Sequence, residues 1–561
     1  MDQIIRNLEG RGIPVHRIGS EAYERSVATT NLLYRFSRPG CVVKPKEASH
    51  VKAVIEEARS HSITIKNGGH SYAGFSTADE GLLLDLSSMN GVELDMSDNA
   101  VTIEGGALWG HVYKALVNLR SNAEGYMING GRCPTVGVSG FILGGGLGPF
   151  TRSLGMGCDA LTAATLVTAG GDLVTVSRDD PRDSPKGKLF WALRGAGGAN
   201  FGVLVKMKLG IKKLSSPNGT VVAGQFVWYP EPDARAMNEF MGTMNKFYAA
   251  NWSKQMTIDS SWICELSETR SELGVRFTVY YDGLKEAFNR EITQNIGEDD
   301  ASRKHLAKQL KRRSMPEKST RFLHETLVQQ WSDETIKAFP RNRSYSIYSS
   351  FVFRNDPELI ADITATIRRE MKAFRKLFGG EQARLQVTWI HSGGVVADID
   401  SSATAFRWRQ GVYQAYITVE WSSKWLERDM RGFLGELRSK LQSFSMRDEG
   451  APAAFINFPD RSLARDVYER AYYGHNHQEL QQVKKIWDEG NFFKWVQGVQ
   501  LPRDERPHQA SDVYNSQSRG GSDGQEGLIS LAPRVDLRSS NAAMLLSSDM
   551  ESAGARGKVP M

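Results

Sequence analysis

Two short segments about sixty residues apart place nucleophilic side chains beside glycine-rich turns. Residues 66–71 form a paired-glycine turn that ends in His70 and Ser71, and residues 131–137 carry a lone cysteine, Cys133. Glycine lets the main chain approach a ligand closely and aim N–H groups at an anion, because no Cβ intervenes. A histidine and a cysteine beside such loops therefore indicate nucleophiles next to a phosphate-bearing cofactor.

Each pattern alone is weak, since most Gly-Gly-His turns are only turns and most lone cysteines are inert. Glycine-rich runs at residues 137–148 and 195–202, and the sequence Phe-Ile-Asn-Phe-Pro-Asp at 455–460, make the combination more specific. Together these segments resemble the flavoproteins of the berberine bridge enzyme family, whose FAD-binding domain is of the vanillyl-alcohol-oxidase (PCMH) type. The resemblance covers about residues 35–500, including the family's closing helix and tail near residues 472–497.

The resemblance implies FAD as the cofactor, bonded through His70 to the flavin 8-methyl carbon and through Cys133 to flavin C6. Arg132 and the glycine-loop amides could supply the electropositive surroundings that favour a thiolate. Phe141 stands where the family usually carries a histidine near the flavin. Main-chain N–H groups of residues 68–71 and 136–140 should receive the pyrophosphate. The implied cofactor-binding residues are Gly68, Gly69, His70, Ser71, Cys133, Thr135, Val136, Gly137, Gly140, Gly144 and Asn457.

The positions that serve as catalytic bases in many relatives are apolar in this chain. Leu147 replaces a tyrosine of the glycine-rich stretch, and Phe458 replaces the second tyrosine of the family's Tyr-x-Asn-Tyr pattern. The tyrosine-base alcohol oxidation of plant relatives therefore cannot be carried over at these two positions.

A strand predicted at residues 413–421 offers other candidates. Alternation places Gln414, Tyr416 and Thr418 on one face, and the corresponding family strand lays polar side chains over the flavin. The catalytic candidates are thus Tyr416, Tyr72 and Gln414, although a strand tyrosine often only packs on a core.

A tyrosine of ordinary pKa needs a neighbouring cation or a hydrogen-bond network to act as a base near neutral pH. Arg407 and Arg409 lie in the part of the sequence from which such a cation could come. The alternative is that both are only surface residues. His391 is a more distant candidate for the acid or base.

Composition is that of a large globular enzyme: 561 residues, 40% hydrophobic, 24% charged and a net charge of +6. The basic cluster between Lys308 and Lys318 reads as a solvated helix face, because a nucleic-acid site would interleave aromatic residues. No apolar run is long enough for a membrane span. The N-terminus lacks a signal-peptide pattern, and four cysteines are too few for a disulfide framework. We therefore expect a cytoplasmic protein without metal, nucleic-acid or membrane partners.

Periodicity and the resemblance together predict an α+β chain. A two-lobed vanillyl-alcohol-oxidase-type FAD-binding domain is joined to a substrate domain with an antiparallel sheet covered by helices. Strands are expected near residues 41–44, 63–66, 82–86, 101–103 and 203–209, and a hairpin around Gly170 and Gly171. The proposed boundaries are 1–34 for an N-terminal segment, 35–213 for the FAD domain, 214–448 for the substrate domain, 449–502 for a return to the FAD domain and 503–561 for a disordered tail.

The expected function is that of an FAD-dependent oxidoreductase, an oxidase that uses dioxygen and takes a hydride from a small molecule. The favoured substrate is a natural product of secondary metabolism, changed by alcohol oxidation, desaturation or oxidative cyclisation. An oligosaccharide oxidase is the alternative enzyme, with Trp389, Trp408 and Trp421 as sugar-stacking candidates. A flavin-binding protein that has lost its chemistry is the alternative from another class.

Overall fold

The first glycine turn follows the last residue of a strand in a small mixed sheet. The computed structural model describes residues 1–119, 124–332 and 344–502. In this sheet the order is β1-β2-β4-β3, with β2, β4 and β3 parallel. The strands are β1 Val15–Arg17, β2 Cys41–Val43, β3 Ile63–Lys66 and β4 Leu82–Asp85, and the helices around them are α1 Asp2–Gly10, α2 Glu21–Val27 and α3 Ala48–Glu57. β2 and β4 are fully buried, as expected for parallel strands with helices beside them.

An antiparallel sheet in the order β5-β6-β10-β8-β9 supports the later glycine loops. Its strands are β5 Val92–Asp95, β6 Ala100–Glu104, β8 Leu161–Val167, β9 Leu173–Ser177 and β10 Val203–Gly210. The strands β7 Tyr126–Met127 and β11 Lys212–Lys213 pair separately. The helices of this part are α4 Trp109–Val117, α5 Val138–Leu143, α6 Thr151–Leu154 and α7 Pro185–Ala192.

The substrate-side sheet is antiparallel throughout its described ladders, in the order β15-β12-β14-β13-β17-β18-β16. Its strands are β12 Thr220–Trp228, β13 Met256–Glu265, β14 Gly274–Tyr281, β15 Ser314–Lys318, β16 Tyr345–Phe353, β17 Ala383–His391 and β18 Tyr413–Trp421. The helices that follow these strands are α8 Ala234–Ala249, α9 Lys285–Ile296, α10 Ala301–Arg313, α11 Ser319–Arg321, α12 Leu327–Gln330, α13 Pro357–Phe378 and α14 Glu427–Gln442, with a π-helical segment Phe322–Thr326 before α12.

One face of this sheet builds a large core with the helices. Alternate residues of β18, among them Tyr413, Ala415 and Ile417, join buried side chains of α8, α13 and α14 in one hydrophobic cluster. Tyr416, on the opposite face, belongs to a different cluster with Leu147 and Phe455. The sheet therefore turns one face to its helices and the other toward the glycine-rich loops.

After the substrate-side sheet, the chain forms the short pair β19 Arg447–Asp448 and β20 Ala451–Pro452, then α15 Tyr468–Tyr473 and α16 Asn476–Trp487. Tyr468, Tyr472 and Tyr473 of α15 are buried in the same cluster as Trp109 and Trp191. Residues 454–500 thus pack with the part of the chain that carries the glycine loops.

The structure confirms the α+β class and the antiparallel sheet covered by helices. The hairpin predicted around Gly170 and Gly171 joins β8 to β9; its loop comprises residues 168–172 and is closed by a hydrogen bond from Thr168 N–H to the Asp172 carbonyl (2.9 Å). One local prediction was wrong. Lys318 ends an edge strand and not a helix, since α10 stops at Arg313.

The proposed domain boundary at residue 214 falls between β11 and β12. The tail proposed for 503–561 lies outside the described residues. Within the described ranges, no helix is both long enough and apolar enough to cross a membrane.

Candidate active site

The Gly-Gly-His turn after β3 packs main chain against main chain on the cysteine-bearing loop. A Cβ at Gly68 would lie 2.6 Å from Gly137 N and 2.7 Å from the Thr135 carbonyl oxygen. Gly69 has a φ of +73°, in the left-handed region that favours glycine. These two constraints explain the paired glycines, and they bring His70 next to the cysteine loop.

Asn67 stabilises this contact through hydrogen bonds of its side-chain amide. Its Nδ2 donates to the Gly105 carbonyl (2.8 Å) and to Ser139 Oγ (2.8 Å). Its Oδ1 is buried and has no hydrogen-bond partner among the described residues, although buried acceptors are normally paired. Because Asn67 lines the cavity described below, this oxygen suits a donor on a bound molecule.

The two predicted nucleophiles meet at one hydroxyl group. His70 Nε2 lies 2.9 Å from Thr135 Oγ1, and Cys133 Sγ lies 3.1 Å from the same oxygen. Cys133 is 6% exposed, whereas His70 is half-buried. The structure therefore brings together a histidine and a cysteine that are 63 positions apart in the chain.

A cavity of about 330 Å³ opens beside these side chains. Most of the predicted cofactor residues line it, namely Gly68, Gly69, His70, Ser71, Cys133, Val136, Gly137, Gly140 and Asn457. Thr135 and Gly144 are not among the lining residues. Thr135 instead bonds His70 and Cys133, and a Cβ at Gly144 would meet the Asn457 side chain at 2.0 Å. Both residues therefore contact side chains that line the cavity.

Aromatic rings form one wall of the cavity. Tyr72, Tyr416 and Phe458 all line it. The Phe458 ring centroid lies 4.4 Å from that of Tyr416 and 5.7 Å from that of Tyr72. Tyr72 also stacks on Tyr348, with 4.5 Å between centroids. Two of the predicted catalytic candidates thus share one wall with the phenylalanine that replaces a family base.

Gln414 does not line the cavity, although it lies on the same strand face as Tyr416. Its side chain is fully buried, and its Nε2 donates to the Trp408 carbonyl (3.4 Å). A Cβ at Gly411 would lie 3.0 Å from that nitrogen. The loop that carries Trp408 and Gly411 covers Gln414, so strand alternation alone gave an incomplete picture of the site.

The other titratable candidates named from the sequence are structural. Burial holds the pKa of His391 well below its ordinary value, and its ring accepts a hydrogen bond from Ile258 N–H (3.3 Å). Arg409 is fully buried and makes two 2.8 Å bonds to Asp159. Arg407 bonds Asp448 at 2.8 Å. None of these three side chains lines the cavity.

Arg132 lines the cavity beside Cys133 and is 6% exposed. Its Nε donates to Asp259 Oδ2 (2.6 Å), its Nη1 donates to the Leu147 carbonyl, and its guanidinium carbon lies 5.6 Å from the Tyr280 ring centroid. Burial lowers the Arg132 pKa, but Asp259 and Tyr280 outweigh it and the net shift is upward. Burial raises the Asp259 pKa against the pull of Arg132. With a guanidinium 2.6 Å from the carboxylate, we infer a charged pair.

A buried lysine holds the third glycine loop. Lys484 of α16 is fully buried and donates to the Asn200 carbonyl (2.7 Å), to Asp488 Oδ2 (2.7 Å) and to the Phe493 carbonyl. Burial lowers its pKa, and Asp488 opposes that effect. Gly197, Gly198 and Gly202 of this loop line the cavity.

Several lining residues carried little or no sequence signal. Ile390 and Trp331 come from distant elements, and Lys494 follows a tail motif that was matched only as a pattern. Their approach to the cavity depends on how the substrate-side sheet and the tail pack, which a local pattern cannot show. No group of three or more His, Cys, Asp or Glu side chains within the described ranges is placed to hold a metal ion.

Comparison with known proteins is consistent with this geometry. The family model described as "FAD binding domain" matches residues 39–177, and the model described as "Berberine and berberine like" matches residues 454–500. The first match contains both nucleophiles and the first two glycine loops. The second contains Asn457, Phe458 and Lys484.

Curated relatives align along most of the chain. Berberine bridge enzyme-like 21 of Arabidopsis thaliana is 25% identical over 482 residues, which is 82% of this chain and 83% of the relative. Chitooligosaccharide oxidase of Gibberella zeae is 25% identical over 501 residues, 87% of this chain and 92% of the relative.

Solved structures share the fold. Berberine bridge enzyme from Eschscholzia californica has a TM-score of 0.71 at 18% identity, covering 89% of this chain and 99% of that one. Xylooligosaccharide oxidase from Myceliophthora thermophila C1, in complex with xylobiose, has a TM-score of 0.71 at 21% identity, with the same coverage.

Proposed function

Because the chain belongs to the berberine bridge enzyme-like FAD-linked oxidoreductases, we propose that it is an oxidase of a small natural product in secondary metabolism. The observation that carries this proposal is a single cavity that reaches from the glycine loops to an aromatic wall. The proposed change is an alcohol oxidation, a desaturation or an oxidative cyclisation, with dioxygen as the second substrate.

The residues present fit FAD. A Cβ at Gly140 would meet nothing within 4 Å, so this cavity-lining glycine leaves open space where a side chain would intrude. The buried Asn67 Oδ1 offers an acceptor to the cofactor. The main chain of residues 68–71 and 136–140 would hold the pyrophosphate. Bound FAD supplies a hydride acceptor, and the protein supplies orientation, electrostatics and a base.

We assign the base to Tyr416 and keep Tyr72 as the second candidate. Tyr416 lines the cavity at the wall where the family's other base position is Phe458. Its deprotonated phenolate oxygen would take the proton from a substrate alcohol or phenol as the hydride leaves carbon. Gln414 has no such access, since its amide faces Trp408.

Covalent attachment of the cofactor through His70 and Cys133 is the first testable consequence. The two side chains converge on Thr135 within 2.9 and 3.1 Å, which supports attachment at two positions of the same flavin ring. We expect acid-precipitated protein to stay yellow, and peptide mapping to find flavin on the peptides of both residues. His70→Ala and Cys133→Ala should each lose one link and keep the other.

The matched control for this experiment is Cys158→Ala. Cys158 is also buried, and burial raises its pKa to about 12, but it does not line the cavity. Its replacement should leave both links intact. Release of all flavin from the wild-type protein by acid would contradict covalent attachment. If His70 carries flavin while Cys133 can still be alkylated, the cofactor is attached through His70 alone.

The oligosaccharide alternative draws support from the two sugar oxidases among the relatives and solved structures. The tryptophans suggested for sugar stacking are nevertheless core residues, with Trp389, Trp408 and Trp421 at most 3% exposed. The wall around Tyr416 carries Leu147, Ile390 and Phe455, which offer no polar groups to sugar hydroxyls. These observations favour an aromatic or apolar substrate.

Anaerobic bleaching of the flavin distinguishes an oxidase of aromatic substrates from a sugar oxidase and from a binding protein without activity. Aromatic primary alcohols should bleach the flavin of the purified protein much faster than xylobiose or chitooligosaccharides at equal concentration. In air, each turnover should release one hydrogen peroxide. Rapid bleaching by the oligosaccharides would favour the sugar oxidase, and no bleaching by either panel would favour a binding protein.

A further inference from the structure

Arg132 places a buried positive charge in the wall of the cavity. The side chain is more than nine-tenths buried and lines the same cavity as Cys133 and the aromatic wall. Its Nη2 is buried and makes no hydrogen bond of standard geometry in the part of the chain that the structure describes; a competing acceptor is the Tyr280 hydroxyl, with which the guanidinium interacts. Leaving a buried charged donor unpaired is costly, so the position is suited to an acceptor that arrives with a ligand.

The rest of the guanidinium is fixed and cannot turn to satisfy this nitrogen. Nε is held by Asp259 at 2.6 Å, and Nη1 is held by the Leu147 carbonyl. Asp259 is fixed in turn, because its other oxygen accepts the His391 main-chain N–H (3.0 Å). A planar guanidinium held at two of its nitrogens presents the third in a set direction.

The neighbouring cavity wall carries no negatively charged side chain among the described residues that could accept a hydrogen bond from Nη2. No Asp or Glu is found among the described residues that line the cavity, and the charged ones are Arg132 and Lys494. The nearby lining side chains Leu147, Ile390 and Tyr416 are apolar or aromatic. A ligand that satisfies Nη2 would therefore carry an oxygen acceptor on an otherwise apolar or aromatic body.

We propose that Arg132 is a substrate-binding residue whose Nη2 pairs with a carboxylate of the substrate, while the substrate's body packs on Tyr416 and Phe458. This rests on the proposed function, which makes this end of the cavity the substrate site. A carbonyl oxygen of the cofactor would offer the same acceptor chemistry, so the experiment distinguishes these two sources.

The test uses benzoate as the anionic probe and benzamide as its neutral counterpart. Both are titrated calorimetrically into the full-length protein as purified. Wild type should bind benzoate about tenfold to a hundredfold more tightly than benzamide, the usual effect of a hydrogen bond to a charged group. Arg132→Lys should lose most of this preference, because an ammonium cannot hold Asp259 and Leu147 while also reaching the ligand.

Arg132→Met leaves Asp259 buried and unpaired and could prevent folding. The double change Arg132→Met/Asp259→Asn removes both charges and keeps an oxygen that accepts from His391 N–H. It should retain FAD and bind benzoate no better than benzamide. Arg407→Lys, at an ion pair that does not line the cavity, is the matched control and should keep the preference.

Equal binding of benzoate and benzamide by wild type would overturn the proposal, as would an undiminished preference in the double variant. Absence of benzoate binding in wild type, together with failure of the double variant to incorporate FAD, would assign Nη2 to the cofactor and also overturn the proposal. A wild-type protein that retains no FAD would contradict the proposed function, while the calorimetric preference would still decide the role of Arg132.

Discussion

Replacing Tyr416 by phenylalanine should slow flavin reduction by about a hundred- to ten-thousand-fold, the usual cost of losing a general base. The change removes one hydroxyl and keeps the ring that packs 4.4 Å from Phe458 between centroids. Thermal stability and the flavin spectrum should therefore stay near wild type. Stopped-flow bleaching with the best aromatic alcohol measures the reduction rate directly.

Tyr72→Phe is the matched control for this experiment. Tyr72 lines the same cavity and stacks on Tyr348, so the control also removes one hydroxyl from an aromatic wall residue. A smaller effect on reduction is expected. If Tyr416→Phe reduces at the wild-type rate and Tyr72→Phe does not, the base is Tyr72. A large fall in unfolding temperature for Tyr416→Phe would show that its hydroxyl is needed for folding.

Lys484→Met should strongly destabilise the protein, because it leaves Asp488 as an unpaired buried charge. Breaking a buried ion pair by removing one partner typically costs about 3–5 kcal/mol. It also leaves the carbonyls of Asn200 and Phe493 without this donor. Since Gly197, Gly198 and Gly202 line the cavity, the variant should also incorporate less FAD.

The measurement is chemical unfolding of the loaded protein, followed by fluorescence, with the flavin content per mole of purified protein as the second readout. Gln482→Met, an exposed residue of the same helix, is the control and should unfold like the wild type. Equal midpoints for the Lys484 and Gln482 variants would show that the buried pair contributes nothing to stability.

The sequence predicts those parts of the fold that are governed by local rules. The strands Ile63–Lys66 and Tyr413–Trp421 follow directly from their apolar spacing, and the paired glycines mark the turn between β3 and His70. Strand Met256–Glu265 escaped prediction, because it is buried along nearly its whole length and yet contains Asp259, Ser260 and Ser261. Its polar residues find partners far away in sequence, which no local pattern reveals.

In the site, too, local patterns and the family resemblance predict some contacts, whereas contacts between residues far apart in sequence go unpredicted. The convergence of His70 and Cys133 could be expected from the family resemblance. The pair of Arg132 with Asp259 could not, since 127 positions separate the partners. Gln414 shows the opposite error, because alternation gave its strand face correctly but not the loop at Trp408 that covers it.

The hydroxyl of Thr135 couples the protonation of its two neighbours. A threonine hydroxyl carries one proton to donate, so it cannot donate to His70 Nε2 and to Cys133 Sγ at once. If Cys133 is a thiolate, the Thr135 proton points to sulfur, and the histidine must itself donate from Nε2. A neutral His70 then carries its lone pair on Nδ1. Within this trio the reactive form of the cysteine and one tautomer of the histidine therefore arise together, and bonding at either side chain changes the proton available to the other.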